Sequence, residues 1–124
     1  MEIKTGIDII EVKRIQEAIE RQGEKFLKRV YTSKEIEYCS NTGKMQYQHY
    51  AARFAAKEAI FKAISSKLPK ETEDIWTKIE VQNDSNHKPT VNLEGLNLGE
   101  IESMDLSLSH IAEYAVASFS AIFR

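Results

Sequence analysis

The sequence has a single cysteine, Cys39, among its 124 residues. A lone thiol excludes an intramolecular disulfide, and the absence of paired cysteine and histidine spacings excludes the common zinc motifs. Free cysteine is usually a core residue, so we expect Cys39 to be buried and unreactive. A chain without disulfides fits a reducing compartment, and we expect a cytoplasmic protein.

Long apolar runs are also absent. No stretch approaches the length of a membrane-spanning helix, and residues 1–8 lack the basic start and apolar run of a signal peptide. There is neither a Walker-type glycine loop nor a G-x-G-x-x-G segment. The formal net charge of −2 argues against a general nucleic-acid binder. These absences indicate a soluble protein with neither a membrane nor a nucleic acid as its partner.

The residues that are present suffice for one hydrophobic core. Hydrophobic residues make up 42% of the chain and charged residues 29%, as in ordinary globular proteins. A chain of this length fits one domain, residues 1–124, without disulfides or structural metal. Because helices precede the alternating strands, we predict an α+β fold in which an antiparallel sheet packs against a long central helix and shorter helices.

Periodicity, capping and turn residues predict the elements. An opening strand, Ile3 to Ile10, leads into a helix that ends at Arg21. Thr32 and Glu35 form a capping box that opens a further short helix. The second half is predicted to begin with a polar loop at residues 65–74 and a hairpin of two strands at residues 76–83 and 89–93. A short helix at residues 94–102 and a closing hairpin of strands 105–111 and 114–123 are predicted to follow.

The central helix is the most distinctive segment. Tyr50 to Ile64 contains no glycine or proline and is rich in good helix formers, so we predict a helix from about Lys44 to Ser66. One face carries Tyr47, Tyr50, Ala51, Phe54 and Phe61, and a second carries Ala52, Ala55, Ala56, Ala59 and Ala63. The small residues of the second face would let another element approach closely.

Glu58 lies on the apolar stripe of this helix, where a leucine would be expected. An acid turned inward has to be paired, neutralised or metal-bound, because an isolated buried charge is too costly. The alternative is an i,i+4 ion pair between Glu58 and Lys62 on a solvated flank, worth a few tenths of a kcal/mol. The helix alone leaves both interpretations open.

Asp8 interrupts the apolar run of the opening strand, a position where carboxylates are depleted. One interpretation is that Asp8 caps the following helix. The other is that Asp8 and Glu58 hold Mg²⁺, which one or two carboxylates can bind when the substrate brings phosphates. Arg53, Lys57 and Lys62 on the central helix would then supply positive charge for a polyphosphate.

The basic residues of the first third of the chain and the histidines each allow more than one role. Basic residues are concentrated in the first third of the chain, and they are Lys13, Arg14, Arg21, Lys25, Lys28 and Arg29. They form either a solvated face or a landing surface for an acidic protein. His110 shares a strand face with two leucines, where a lone histidine is most often a hydrogen-bonded core residue. His49 and His87 are isolated and are expected at the surface.

Several blocks carry a resemblance that extends over nearly the whole chain. The first are Gly6-Ile-Asp-Ile-Ile-Glu-Val-Lys-Arg-Ile15 and Phe26-x-x-x-Val-Tyr-Thr-x-x-Glu-x-x-Tyr-Cys39. They are followed by Arg53-Phe-Ala-Ala-Lys-Glu-Ala-x-x-Lys-Ala63, Trp76-x-x-Ile-Glu-Val81, Lys88-Pro89, and Leu106-Ser-Leu-Ser-His110 with Tyr114-Ala115. In this order the blocks resemble the bacterial holo-acyl-carrier-protein synthases, the small type of 4′-phosphopantetheinyl transferase.

The resemblance implies a reaction and a set of site residues. It implies Mg²⁺-dependent transfer of the 4′-phosphopantetheine arm of coenzyme A to a serine of acyl carrier protein, with release of 3′,5′-ADP, in support of fatty acid synthesis. It implies that Asp8 and Glu58 hold Mg²⁺ against the coenzyme A diphosphate and that Lys62 lies near the phosphates. Arg53 and His110 would bind the nucleotide end.

The resemblance also implies a carrier surface and an assembly. Arg14, with Arg21 on the same face of the predicted helix, would belong to the surface that meets the acidic carrier protein. The family is typically a homotrimer with active sites between subunits. The carrier serine would attack the β-phosphate in line, with Lys62 and the metal taking up developing charge and either Glu58 or a metal-bound water as the base.

One departure from the family pattern follows the central helix. The family usually has a Gly-Thr-Gly turn there, whereas this chain reads Ser65-Ser66-Lys67-Leu68-Pro69, so the backbone would approach the nucleotide less closely. Two rival functions stay open. One is a carrier-binding or nucleotide-binding module without catalysis, and the other is a Mg²⁺-dependent phosphohydrolase that releases pantetheine phosphate without a carrier.

Overall fold

The computed structural model describes residues 1–124, and it has five α-helices, two single-turn 3₁₀ helices and five strands. The helices are α1 (Val12–Gln22), α2 (Glu24–Val30), α3 (Ser33–Ser40), α4 (Gln46–Ile64) and α5 (Ile75–Lys78). The strands are β1 (Glu2–Glu11), β2 (Glu80–Asn83), β3 (Pro89–Asn92), β4 (Ile101–His110) and β5 (Tyr114–Phe123). The predicted α+β class is confirmed, with antiparallel sheets and a long central helix. None of the helices has the length and apolar character needed to cross a membrane.

The main sheet has three antiparallel strands in the order β1-β5-β4. The central strand β5 pairs with β1 along its whole length, from Glu2 opposite Phe123 to Glu11 opposite Tyr114. Every second residue of β5 is buried against α4, namely Ala115, Ala117, Phe119, Ala121 and Phe123. The hairpin of β2 and β3 forms a separate two-stranded sheet.

The helix α4 is buried on two sides, as its two apolar faces predict. The predicted alanine face is fully inside, with Ala55, Ala56 and Ala59 at 0% exposure. The aromatic stripe packs under α1, α2 and α3, where Tyr50 is also buried. Short side chains on α4 and on β5 together let the helix lie close to the sheet.

Gly6 marks the point where β1 comes closest to α4. A Cβ atom built on Gly6 would lie 1.8 Å from the carbonyl oxygen of Ala59, so only glycine fits. Side chains alternate along a strand, and Gly6, Asp8 and Ile10 are the less exposed set in β1. The contact therefore directs the side of β1 that carries Asp8 toward the helix.

Two predicted elements are wrong, and each has a physical reason. The strand expected from Trp76 to Asn83 begins only at Glu80, because its first half is the helical turn α5. The short helix expected at residues 94–102 is absent, and β4 begins at Ile101. Leu96 and Leu98, which suggested the helix, enter the core from an irregular segment. This segment starts with a turn in which the Leu96 amide donates a hydrogen bond to the Leu93 carbonyl.

Gly6→Ala is expected to reduce the free energy of unfolding by about 3 kcal/mol or more, since the new methyl group would meet backbone atoms that cannot move aside. Gly95→Ala is the matched control, because the nearest atom to its Cβ would belong to the flexible Lys78 side chain, at 3.4 Å. The control should change stability by no more than about 0.5 kcal/mol. Equal effects of both substitutions in chemical denaturation would contradict the close crossing.

Candidate active site

The two acids singled out from the sequence come together at one cleft. Asp8 on β1 and Glu58 on α4 both line a cavity of about 480 Å³. Burial raises the pKa of the Glu58 carboxyl, and the neighbouring charge of Asp8 raises this pKa further. The two carboxylates are therefore close enough to interact, although fifty positions separate them in the chain.

Lys62 completes this group, which we call the acid group (Asp8, Glu58 and Lys62). The Nζ atom of Lys62 lies 3.1 Å from Oδ1 of Asp8 and donates a hydrogen bond of 2.9 Å to the carbonyl oxygen of Ile7. The Lys62 side chain is still 52% exposed. A half-exposed ammonium group on a flexible stem can turn toward an incoming anion.

The geometry excludes the two structural alternatives. Lys62 pairs with Asp8 across two elements, and Glu58 forms no ion pair with Lys62 along the helix. The N-cap of α1 is Glu11, and no side chain bonds to the helix at that position. Asp8 thus lies within β1 and does not cap α1. Neither acid is explained by local helix chemistry.

The donor set fits a hard divalent cation with an incomplete protein shell. No group of three or more histidine, cysteine, aspartate or glutamate side chains is placed to hold a metal. Two carboxylates remain, and Mg²⁺ is usually held by one or two carboxylates together with waters and substrate phosphates. Asp8 and Glu58 therefore fit Mg²⁺ best when a phosphorylated ligand supplies further oxygens.

The same cleft has cationic and apolar walls. Arg14 and Arg21, both on α1, line it together with the acids. The apolar lining residues are Ile9, Ile10, Ile15, Ala18, Phe26 and Phe54. A ligand in this cleft would meet an acidic, an apolar and a basic surface at once.

Arg53 and His110 lie in a second group, away from the acids. The Arg53 guanidinium carbon is 4.2 Å from the centroid of the Tyr38 ring, and only 4% of the residue is exposed. The His110 Nδ1 atom is 2.8 Å from Oε1 of Gln48. Neither residue lines the cleft of the acid group. Five positions on a helix correspond to roughly 140° of rotation, which directs Arg53 and Glu58 to different sides of α4.

The prediction that Lys57 lies beside the ligand phosphates is wrong. Its ammonium group is completely buried, 2.7 Å from Oε1 of Glu35, and donates hydrogen bonds of 2.6 Å to the carbonyl oxygens of Trp76 and Ile79. Burial lowers the pKa of Lys57, while the charge of Glu35 opposes that shift. The other Glu35 oxygen accepts a hydrogen bond of 2.7 Å from the Val81 amide. Lys57 therefore joins α4 to α3 and to the α5–β2 segment.

Comparison with known proteins decides the family. The model of a family described as "ACPS: 4′-phosphopantetheinyl transferase superfamily" matches residues 4–118. The chain belongs to this superfamily. It is 46% identical over 122 residues to the holo-[acyl-carrier-protein] synthase of Ruminiclostridium cellulolyticum, which covers 94% of this chain and 90% of the relative. The holo-[acyl-carrier-protein] synthase of Chloroherpeton thalassium is 45% identical, covering 93% of both chains.

Solved structures of this superfamily share the fold. The holo-(acyl-carrier-protein) synthase of Bacillus anthracis in complex with CoA (3′,5′-ADP) superimposes with a TM-score of 0.76 at 34% identity, covering 98% of this chain and 96% of that one. The Helicobacter pylori holo-[acyl-carrier-protein] synthase in complex with coenzyme A gives a TM-score of 0.75 at 28% identity, covering 95% and 99%.

The segment where the resemblance led us to expect a glycine turn has a different local structure. Ser65–Lys67 forms one turn of 3₁₀ helix after α4, and none of its residues has a positive φ. Lys67 pairs with Glu2, and its Nζ lies 5.3 Å from the centroid of the Phe123 ring. These contacts anchor the turn to one end of the main sheet, where Glu2 and Phe123 lie opposite each other.

Lys57→Met and Lys62→Met separate the structural lysine from the exposed one. Lys57→Met should reduce the free energy of unfolding by about 3–5 kcal/mol, because Glu35 would remain buried without its counter-ion. Lys62→Met should change it by no more than about 1 kcal/mol, since the pair with Asp8 is half-exposed. Chemical denaturation measures both values. Equal losses in the two variants would refute the core position of Lys57.

Proposed function

We propose that this protein transfers the 4′-phosphopantetheine group of coenzyme A to a serine of acyl carrier protein in the cytoplasm, in support of fatty acid synthesis. The products are holo-carrier protein and 3′,5′-ADP. The observation that carries the proposal is that Asp8 and Glu58 line one cleft with Arg14 and Arg21, while Lys62 is bonded to Asp8. It is supported by relatives that are holo-[acyl-carrier-protein] synthases and by a solved one in complex with CoA (3′,5′-ADP).

We assign Asp8 and Glu58 as the ligands of Mg²⁺ and place the coenzyme A diphosphate beside them. When bound, the ion would neutralise diphosphate charge and polarise the phosphoryl group. Lys62 lies next to Asp8 with half of its side chain exposed, so its ammonium group can pair with a phosphate oxygen. Two carboxylates and one lysine thus give a site that is complete only with an anionic substrate.

The transfer forms one bond and breaks another. The serine hydroxyl oxygen bonds to the β-phosphorus of coenzyme A, the bond from this phosphorus to the bridging oxygen breaks, and 3′,5′-ADP leaves. Glu58 lines the cleft in which the serine would approach the phosphate, so it is the residue of this chain placed to accept the serine proton. Lys62 stabilises the negative charge that develops on the phosphoryl group.

The carrier protein would dock at α1. Arg14 and Arg21 line the same cleft as the acid group, so an acidic helix bound to these arginines would bring a serine near Glu58. Charged surfaces of this kind steer association and set specificity. The apolar side chains of Phe26 and Phe54 in the cleft give the carrier a hydrophobic contact beside the ion pairs.

A homotrimer would complete the site. Arg53 and His110 lie away from the acid group of their own chain, so a single coenzyme A would reach both groups only across two subunits. The outer face of β1 carries three exposed isoleucines, Ile3, Ile7 and Ile9, at 72%, 64% and 65% exposure. An exposed apolar strand face of this kind favours a protein interface.

Mass spectrometry of apo acyl carrier protein, incubated with the enzyme, coenzyme A and Mg²⁺, tests the reaction. The carrier should gain the mass of one phosphopantetheine group. Asp8→Asn and Glu58→Gln should each slow this gain at least about 100-fold, because losing even an outer-shell partner of a metal ligand costs 10–100-fold. Asp105→Asn, at an exposed acid paired with Lys88, is the control and should keep the native rate.

Two results would overturn the assignment of this protein as a transferase. Binding of coenzyme A and carrier with no mass gain would make the protein a binding module. Release of pantetheine phosphate in the absence of carrier would make it a phosphohydrolase. Native rates in folded Asp8→Asn and Glu58→Gln variants would remove the acid group from the reaction.

Mixing two inactive variants tests the shared site. Glu58→Gln lacks the acid group's base and Arg53→Met lacks the second group's cation, so each variant alone should be inactive. Co-expressed in equal amounts, the chains should restore about one site in four, because random assortment in a cyclic trimer pairs intact groups at that frequency. Mixed trimers that recover no activity would mean that both groups act within one chain.

A further inference from the structure

Three side chains that can carry positive charge meet without any counter-ion. His49 and Arg53 lie four positions apart on α4, and the rings of His49 and His110 are edge to face with centroids 5.2 Å apart. None of the three takes part in any ion pair of the chain. We call this the cationic cluster (His49, Arg53 and His110).

The protein holds this cluster in place with aromatic contacts. The Tyr38 ring contacts the Arg53 guanidinium on one side, at 4.2 Å, and the His49 ring at a centroid distance of 5.6 Å. Arg53 is 4% exposed, and its Nε atom is buried without a hydrogen-bond acceptor. Keeping a guanidinium group buried without an acid is unfavourable, which points to an anion as the missing partner.

His49 was expected at the surface, but its imidazole ring belongs to this cluster. The ring is half-buried, and its Nδ1 atom has no partner within the protein. Burial lowers the pKa of His49, and the charges of His110 and Arg53 lower this pKa further. The groups that face it are Arg53 on its own helix, Tyr38 on α3 and His110 on β4, with no carboxylate among them. An anion in this place would reverse the electrostatic cost of protonating the ring.

We propose that His49 is a third anion-binding residue, which joins Arg53 and His110 around the phosphomonoester of coenzyme A and is protonated when that group binds. This inference rests on the proposed function, in which Arg53 and His110 bind the nucleotide end. Coenzyme A carries one phosphate besides its diphosphate, on the ribose, and the acid group accounts for the diphosphate. The remaining phosphate is therefore the anion for the cationic cluster, and the proton on His49 comes from solvent.

Calorimetric titration of the whole protein with 3′,5′-ADP and with AMP, which lacks the ribose 3′-phosphate, tests this assignment. His49→Gln should raise the Kd for 3′,5′-ADP about tenfold, since the phosphate would lose one charge-assisted hydrogen bond, and should leave the Kd for AMP unchanged. His49→Phe keeps a ring beside Tyr38 and should weaken 3′,5′-ADP binding equally. His87→Asn, at an exposed turn with a φ of 63°, is the control and should bind like the native chain.

A second readout follows the proton. Repeating the titration in two buffers of different ionisation enthalpy counts the protons taken up, and both His49 variants should take up fewer than the native chain. Folded His49 variants with native affinity for 3′,5′-ADP would show that His49 only packs, and would overturn this inference alone. A native chain that binds neither 3′,5′-ADP nor coenzyme A would overturn the proposed function as well.

Discussion

The close crossing of β1 over α4 is the constraint on which the rest depends. Gly6 leaves no room for a side chain against the Ala59 carbonyl, so strand and helix meet at backbone distance. Asp8 is two residues beyond Gly6 on the same face of the strand, and Glu58 is next to Ala59 on the helix. Moving the strand outward by the width of a methyl group would separate Asp8 from Glu58 and would also pull Asp8 and the Ile7 carbonyl away from Lys62.

A buried ion pair on another side of α4 fixes the same helix. Lys57 and Glu35 are both fully buried, and their remaining hydrogen bonds join them to Thr32, Trp76, Ile79 and Val81. A pair of this kind contributes little net stability compared with apolar residues, but it ties the rotation of α4 to its neighbours. Two adjacent residues of α4 thus have different roles, since Lys57 fixes the position of the helix and Glu58 faces the cleft.

The sequence predicts those parts of the fold that local patterns control. The capping box of Thr32 and Glu35, the closing hairpin and the two buried faces of α4 are all present. The α5 turn was missed because it is held by Lys57, which is distant in the chain and donates hydrogen bonds to the carbonyl oxygens of Trp76 in the turn and of Ile79 just after it. Leu96 and Leu98 suggested a helix, yet they reach the core from an irregular segment. No sequence pattern around them predicts such a segment.

The site shows the same division between local and long-range information. Asp8 and Glu58 stand out as acids among apolar residues, and their meeting requires only that β1 cross α4. The sequence could not separate Lys57 from Lys62, because helical spacing places both near Glu58 and only the fold supplies Glu35 as a partner for one of them. His49 carried no signal at all, since its neighbours Tyr38 and His110 come from distant elements.

The central claim is that Asp8 and Glu58 share one divalent ion. Anomalous diffraction from crystals grown with Mn²⁺ and coenzyme A tests this claim most directly, because Mn²⁺ accepts the oxygen ligands that Mg²⁺ uses. A single peak in contact with carboxylate oxygens of both Asp8 and Glu58 is the expected result. A peak that touches only one of these acids, or none near them, would contradict the account.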